Sequence, residues 1–151
     1  MISYLKGIYK FCTPYEVIIE TQDGVGYGVE MPLSSICKLP QCGSSIEIWI
    51  YTYVREDSIK LYGFLSYFEK LMFEILLSLN GVGPKVALAI LSTLDIENIE
   101  RAINFSRQDI FESVPGVGPR LAEKILVELK SKIKKIKLAK QLEHQLTLKD
   151  L

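Results

Sequence analysis

The sequence predicts an α+β protein in which a five-stranded, closed or nearly closed β-barrel precedes an all-α part. Apolar residues alternate with period two as far as residue 64 and recur at helical spacing from residue 66 onward. A third observation is the string Gly-Val-Gly-Pro followed by a basic residue, which occurs at 81–85 and again at 116–120. A length of 151 residues is sufficient for one ordinary domain or two small ones.

The strand predictions come from residues 1–64. "GVGYGVEMP" places Val25, Tyr27, Val29 and Met31 on one face of a strand. "SIEIWIYTYV" places Ile46, Ile48 and Ile50 on one face and Trp49, Tyr51 and Tyr53 on the other. "QDG" at 22–24 is a hairpin-turn signal. Five short strands separated by turns favour a small barrel.

The first predicted helix starts near residue 66, stops at 80–81 and carries one apolar stripe, made of Phe68, Leu71, Met72, Ile75, Leu76 and Leu79. The second covers 84–93 and opens with Pro84. Asp95 is typical of an N-cap for a third helix, and Ser106 to Asp109 reads as a capping box for a fourth. A last helix runs from about residue 119, and 131–151 reads as a partly helical, exposed tail.

Each Gly-Val-Gly-Pro string lies between two helical patterns, and its chemistry suits an anion. We expect the first glycine to end a helix with positive φ, the valine to pack between the helices, and the second glycine to let another backbone come close. The proline then starts the next helix. The free N–H groups of the turn and of that helix would point outward together, with Lys85 or Arg120 beside them. Such a site reads phosphates and not bases.

The alternative is that both strings are ordinary corners between packed helices. One copy would leave that alternative open. Two copies favour the binding interpretation, because their flanking apolar positions also match, Ala87 with Ala122, Ile90 with Ile125 and Leu91 with Leu126. A pair of such turns can hold both strands of a duplex through their phosphates.

The formal net charge of zero conceals an asymmetry. Residues 1–70 hold six Lys/Arg and eight Asp/Glu, whereas residues 71–151 hold twelve and ten. Six lysines and no acid lie within 129–142. The distribution indicates one basic surface and one acidic feature on the same molecule, which is compatible with a nucleic-acid partner.

Cysteine and histidine content excludes several kinds of site. Cys12, Cys37 and Cys42 are odd in number and lack paired CxxC spacing, which argues against a disulfide framework and against zinc. The single histidine, His144, lies in a polar tail, so no Ser-His-Asp arrangement is indicated. No apolar run approaches the ~20 residues that span a bilayer, and we expect a cytoplasmic protein without a membrane partner.

With these residues in view, the chain resembles the RuvA family, the Holliday-junction-binding subunits of the bacterial RuvAB branch-migration machine. "LNGVGPKVALAIL" and "VPGVGPRLAEKIL" resemble its two helix-hairpin-helix motifs, and "MISYLKGIYKF" and "VREDSIKLYGF" resemble its first domain. The resemblance covers roughly residues 1–135. It implies an OB-fold-like barrel at 1–64, a tandem helix-hairpin-helix domain at 65–133 and a basic tail or linker at 134–151. Members usually add a third, RuvB-contacting domain, which we expect to be absent or truncated here.

The resemblance also implies site residues. Phosphate binding would fall to Gly81, Val82, Gly83, Lys85, Gly116, Val117, Gly118, Arg120 and Lys124. The carboxylates of Glu56 and Asp57 match the family's acidic pin, at what should be a hairpin tip. Read without the resemblance, that tip is equally well a solvated polar turn. No catalytic residue, cofactor or metal is implied.

The implied function is binding of a four-way DNA junction as a homotetramer, with an octamer left open, in recombination and repair. The implied partners are a RuvB-type hexameric ATPase and a RuvC-type resolvase. One rival is another helix-hairpin-helix repair protein, a glycosylase, a lyase or a nuclease accessory subunit; the enzymes among these need a catalytic Lys or Asp in a base pocket. A pure protein-interaction module, or a barrel that binds single strands, is a further alternative.

Overall fold

Five strands close the N-terminal barrel in the computed structural model, which describes residues 1–149. They are β1 (Tyr4–Cys12), β2 (Val17–Glu20), β3 (Gly26–Glu30), β4 (Ser45–Val54) and β5 (Ile59–Phe64), in the spatial order β1-β2-β3-β5-β4. All neighbours are antiparallel except β3 and β5, which are parallel. The predicted five-stranded barrel followed by helices is confirmed.

The barrel interior follows the predicted alternation along β4. Ile46, Ile48 and Ile50 are all buried, together with Val29 and Met31 from the β3 side. Val25, predicted to belong to the same face, is exposed. It precedes β3, and its carbonyl accepts a hydrogen bond from Thr21 N–H across the β2–β3 turn (2.9 Å), so it is a turn residue and not a strand residue.

Aromatic residues cover the outer face of β4. The ring of Trp49 meets the edge of Tyr4 at 5.3 Å and of Tyr67 at 5.0 Å, measured between ring centroids. A short helix, α1 (Leu33–Ile36), was not predicted; the buried Ser35 hydroxyl within it donates to the Glu69 carboxylate at 3.4 Å. The first turn of the next helix therefore groups with the barrel, and the chain divides at Lys70/Leu71, six residues after the expected boundary at 64/65.

Six further helices complete the described chain. They are α2 (Tyr67–Leu77), α3 (Pro84–Thr93), α4 (Ile96–Asn104), α5 (Gln108–Glu112), α6 (Pro119–Ser131) and α7 (Ile133–Lys149). The core of the second unit includes Phe73, Leu76, Ile90, Ile99, Phe111, Ile125 and Leu129. Pro84 and Pro119 occupy the first helical positions of α3 and α6, as their fixed φ favours. No helix in the 1–149 range is long and apolar enough to cross a membrane.

Two details of the helix predictions were wrong. The first helix ends at Leu77 and not at 80–81, because residues 78–80 form a tighter turn in which Leu79 N–H donates to the Leu76 carbonyl. The predicted stripe also omitted Phe73, which is fully buried. Of the tail, Ile133–Lys149 is helical with Ile136 buried, and residues 150–151 lie outside the described part.

Of the two predicted N-caps, one is confirmed. Asp95 accepts a hydrogen bond from Asn98 N–H at 2.8 Å. The capping box at Ser106 is wrong: α5 begins at Gln108, and Ser106 lies in the left-handed region with φ +53°. Asp109 instead forms a two-bond ion pair with Arg107 (2.7 and 2.9 Å), and those hydrogen bonds lower the pKa of the Asp109 carboxyl. Lys130 Nζ donates to the Ser106 hydroxyl.

The glycine at position 63 is required by the barrel interior. A Cβ added there would lie 2.5 Å from Val29 Cγ1 and 2.7 Å from Ile48 Cγ2, both in the packed core. We expect Gly63→Ala to lower the free energy of unfolding by about 1–3 kcal/mol, as overpacking does. Gly26→Ala is the control, because its Cβ would meet only Ile18 Cγ2 at 3.6 Å. Urea unfolding of both variants tests this, and equal stabilities would contradict it.

Candidate nucleic-acid interface

The two glycine turns have nearly the same backbone. Gly81 has φ +87° and Gly116 has φ +90°, so each reverses the chain in the left-handed region that favours glycine. Gly83 and Gly118 then sit at the N-caps of α3 and α6 with φ −95° and −87° and ψ close to 180°. Both turns therefore match the predicted geometry of their first glycine.

The valine of each turn has a buried side chain and an N–H group that is hydrogen-bonded within the turn. Val82 and Val117 are each 6% exposed. Val82 N–H donates to the Leu79 carbonyl at 3.2 Å, and Val117 N–H donates to the Val114 carbonyl at 3.0 Å. Since both the side chain and the N–H group of each valine are used inside the protein, neither valine offers a donor to an outside ligand.

The second glycine of each turn has no close neighbour within the described chain. A Cβ at Gly83 or Gly118 would meet no atom of the chain within 4 Å, and their extended backbone is open to any residue. No part of the described protein comes close to these positions. Neither packing nor strain within the protein therefore calls for glycine here, and the open space faces outward.

The helices after these turns begin without a side-chain cap. α3 and α6 have glycine at the N-cap, whereas Asp95 caps α4. Within residues 1–149, the N–H groups of Lys85 and Val86 at the start of α3 have no hydrogen-bond acceptor, nor have those of Arg120 and Leu121 at the start of α6. Each helix thus presents two unused donors at the positive end of its dipole, which is a suitable arrangement for an anion.

The predicted cations lie beside these donors in sequence and are exposed. Lys85, Arg120 and Lys124 form no ion pair with another described residue. Other lysines of the same unit are used inside it: Lys132 Nζ donates to the Ser78 hydroxyl at 3.1 Å, and Lys140 pairs with Glu100 at 2.6 Å. Lys85, Arg120 and Lys124 are therefore available to an outside phosphate.

Sequence reasoning missed a further repeated feature. Ser78 and Ser113 each lie three residues before the first glycine of a turn, and each hydroxyl donates to the carbonyl three residues earlier at 2.6 Å, Ile75 and Ile110 respectively. Their separation of 35 residues equals that of the glycine strings and was available in the sequence. The repeat therefore begins directly after the helix that precedes each turn.

The acidic pair lies at the tip of the β4–β5 hairpin, in the first unit. Arg55 N–H donates to the Ser58 carbonyl at 2.8 Å and closes the tip, with Glu56 and Asp57 exposed at its end. The Arg55 side chain turns back to donate to the Tyr53 hydroxyl at 3.0 Å, and its guanidinium carbon lies 5.3 Å from the centroid of that ring. Neither carboxylate has a cationic partner among the described side chains.

Two family models match the chain. The RuvA N terminal domain matches residues 1–63, and the SAM-like helix-hairpin-helix tandem matches residues 73–131. Three similar proteins carry the name Holliday junction branch migration complex subunit RuvA. That of Solibacter usitatus is 42% identical over 88% of this chain and 67% of its own length. The protein of Caldanaerobacter subterraneus is 42% identical over 89% of this chain and 72% of its own length. The protein of Geobacter sulfurreducens is 40% identical over 92% of this chain and 69% of its own length.

Because the helix starts are uncapped, we expect one substitution to lower DNA affinity without lowering the stability of the protein. In Gly118→Ser, the new hydroxyl can accept from the free N–H groups of α6 as an N-cap, so we expect unfolding free energy to be unchanged or raised by up to about 1 kcal/mol. DNA affinity should fall, because the side chain fills the open space and takes a donor. Gly116→Ser is the matched variant. It forces a side chain into φ +90° and should cost about 1–2 kcal/mol.

Urea unfolding gives the stability, and fluorescence anisotropy with a labelled duplex gives the affinity. Undiminished duplex affinity of a folded Gly118→Ser protein would show that the start of α6 does not meet DNA.

Proposed function

The chain belongs to the RuvA family, and from that premise we propose that it binds four-way DNA junctions as a non-catalytic subunit of a branch-migration complex. The names of its relatives support this, as does the combination of a closed barrel with a helix-hairpin-helix tandem. The observation that carries the DNA-binding part is the duplicated, outward-facing set of unused backbone donors at α3 and α6.

Each turn would hold one backbone phosphate. The phosphate oxygens would accept hydrogen bonds from the N–H groups at the helix start, close to the backbone because Gly83 or Gly118 has no side chain. Lys85 and Arg120 would add a charge-assisted contact at each turn, and Lys124, one helical turn beyond Arg120, a further one. Gly81 and Gly116 would act by shaping the turn. We leave Val82 and Val117 out of the contact set, because their N–H groups are already bonded.

The acidic tip would select the junction by repulsion. In a four-fold tetramer, Glu56 and Asp57 would contribute eight carboxylates near the axis where the DNA backbones cross. Because no cation of the described chain offsets these charges, phosphates entering the centre would be repelled. A junction opens at its crossover and relieves that repulsion, whereas a duplex laid across the centre does not.

The motor activity would come from a partner. The sequence contains no G-x-x-x-x-G-K-[ST] string, the phosphate-binding loop of many ATPases. We propose a RuvB-type hexameric ATPase as the motor and a RuvC-type resolvase as a further partner, with the homotetramer as the assembly that meets the DNA. As domains we propose the barrel at 1–64, the tandem at 65–133 and the basic tail at 134–151, with residues 65–70 grouped with the barrel in the fold.

A direct comparison tests the proposed function. Gel-shift titrations of a four-way junction and a duplex of equal arm length should give a lower dissociation constant for the junction. Cleavage or base release from damaged DNA without partners would instead favour the glycosylase or lyase alternative. The absence of salt-dependent DNA binding would favour a protein-interaction module.

The two turn cations should contribute to affinity without reading sequence. We expect Lys85→Ala combined with Arg120→Ala to weaken binding to all sequences alike and to reduce the slope of log K against log salt by about 2 per subunit. Lys38→Ala combined with Arg101→Ala is the charge-matched control, taken from exposed positions that belong to neither turn. If the slope of the turn variant equals that of the control, Lys85 and Arg120 do not contact phosphate.

The acidic tip should affect specificity more than affinity. At ~10 Å and an effective dielectric constant of ~40, one carboxylate–phosphate pair costs about 0.8 kcal/mol, which salt screening reduces to a few tenths. Several such pairs still amount to a few kcal/mol. We therefore expect Glu56→Gln with Asp57→Asn to raise duplex affinity more than junction affinity, and the barrel to remain folded.

Salt titrations of both DNAs with the wild-type and variant proteins measure the ratio of the two affinities. Asp23→Asn removes a charge from a different exposed turn of the same barrel and serves as the control. An unchanged ratio in the double variant would show that the tip is only a polar turn. The preference for junctions would then have to come from the geometry of the assembly.

A further inference from the structure

Helix α6 contacts both glycine turns at its start. It begins directly after Gly118, so the turn at 116–118 leads straight into it. The turn at 81–83 lies beside the same helix start, because a Cβ added to Gly81 would lie 3.6 Å from Leu121 Cδ1, an ordinary van der Waals distance. Two turns that are 35 residues apart in the sequence are therefore neighbours at the first residues of one helix.

The end of α6 is bonded to the Gly81 turn a second time. Lys132 is the C-cap of α6, and its Nζ donates to the hydroxyl of Ser78 at 3.1 Å, three residues before Gly81. The Ser78 hydroxyl donates its own hydrogen to the Ile75 carbonyl at 2.6 Å, so towards the lysine it is an acceptor. The Lys132 carbonyl accepts from the N–H of Ile136, whose side chain is buried. Both partners of the Lys132–Ser78 bond are thus held in place.

α6 is a rigid link between these contacts. Its 13 residues span about 20 Å at ~1.5 Å per residue. Leu121 and Lys132 are eleven positions apart (132 − 121), which is about 16 Å along the helix. The segment from Ser78 to Gly81 is therefore attached to α6 at two well-separated points. Movement of one turn relative to the other would have to break one of these attachments. One face of α6 is buried in the core, with Ala122, Ile125, Leu126 and Leu129.

The second turn shows that the lysine bond is not needed to form a turn of this kind. Ser113 holds the equivalent position before Gly116, and its hydroxyl donates to the Ile110 carbonyl at 2.6 Å, as Ser78 does to Ile75. Among the residues from 1 to 149, no lysine donates to the Ser113 hydroxyl. The two turns nevertheless have nearly the same backbone. The bond to Ser78 therefore joins one turn to the helix of the other.

We propose that Lys132, acting through Ser78, is a positioning residue that fixes the spacing of the two phosphate sites and so favours duplex over single-stranded DNA. This inference rests on the proposed function, in which each turn holds one phosphate. The helix of a duplex fixes the separation of the phosphates on its two strands, so a duplex gains most from two sites held at one spacing. A flexible single strand can adapt its phosphates to a range of spacings. Loosening the link should therefore weaken duplex binding selectively.

The deciding variant is Ser78→Ala, which removes the acceptor of the lysine without changing the charge of the protein. Ser113→Ala is the matched control, because it removes the same local hydrogen bond from the other turn and affects no lysine. Fluorescence anisotropy in low salt would measure the affinity of the full-length proteins for a labelled duplex and for a labelled single strand of equal length.

We expect Ser78→Ala to raise the Kd for duplex about two- to tenfold relative to Ser113→Ala, the effect of losing one hydrogen bond. The Kd for the single strand should stay within about twofold. The slope of log K against log salt should equal that of the wild type, since no phosphate contact is removed.

Variants of the lysine separate positioning from direct contact. Lys132→Arg keeps the charge and can still donate to Ser78, so it should bind duplex as the wild type does. Lys132→Met combined with Ser78→Ala should lose less duplex affinity than the sum of the two single losses, because both changes remove the same bond. A lysine that met phosphate itself would give additive losses and a salt slope lower by about 1.

Equal duplex affinities of Ser78→Ala and Ser113→Ala would overturn this inference, as would equal losses for duplex and single strand or additive losses in the double variant. If urea unfolding shows that Ser78→Ala is destabilised, Lys132→Met provides the same comparison with the Ser78–Ile75 bond intact. Failure of the proposed function is distinguishable, because the wild-type protein itself would then show no salt-dependent binding of duplex.

Discussion

The helical unit depends on a backbone constraint that occurs twice. After α2 and after α5, the chain must reverse within a few residues while an apolar side chain remains buried between the helices. A glycine at φ near +90° makes the reversal possible, and the N–H of the buried valine donates to a carbonyl in the turn that follows the preceding helix. Once those bonds are made, the N–H groups at the next helix start have no acceptor left within the unit. Every helix start leaves such donors without an intrahelical acceptor, and here the glycine at the N-cap has no side chain to accept from them.

Which charged side chains are available to a ligand depends likewise on the contacts that they make within the protein. Lys130, Lys132 and Lys140 make hydrogen bonds or ion pairs within the second unit, so lysine density alone overstates what is available to a ligand. Arg107 is likewise held by Asp109. The cations at the turns and the carboxylates at the β4–β5 tip are left without such partners in the described chain. A net charge of zero is therefore compatible with strongly charged local surfaces.

Much of this could be predicted from the sequence because the deciding interactions are local. Pro84 and Asp95 mark helix starts through their own backbone and side-chain chemistry, and both positions are confirmed. Ser106 was misjudged because Arg107 competes for Asp109, a contact that residue preferences do not contain. The register shift in β1 between Tyr9 and Phe11 depends on pairing with β2, so no local pattern reveals it. The open space at Gly83 and Gly118 likewise appears only in three dimensions.

The likeness of the two turns bears on the orientation in which a DNA duplex would lie across them. The strands of a duplex run antiparallel, and a protein that held each strand by a different chemistry would distinguish one orientation of the duplex from the other. Here both turns offer the same glycine geometry, the same uncapped helix start and a cation at the equivalent position. If the two turns hold the two strands as proposed, exchanging the strands would replace like with like, and the energy of holding an arm would be nearly the same in both polarities. Such a surface would let DNA pass in either direction, and the choice of direction would have to come from another component.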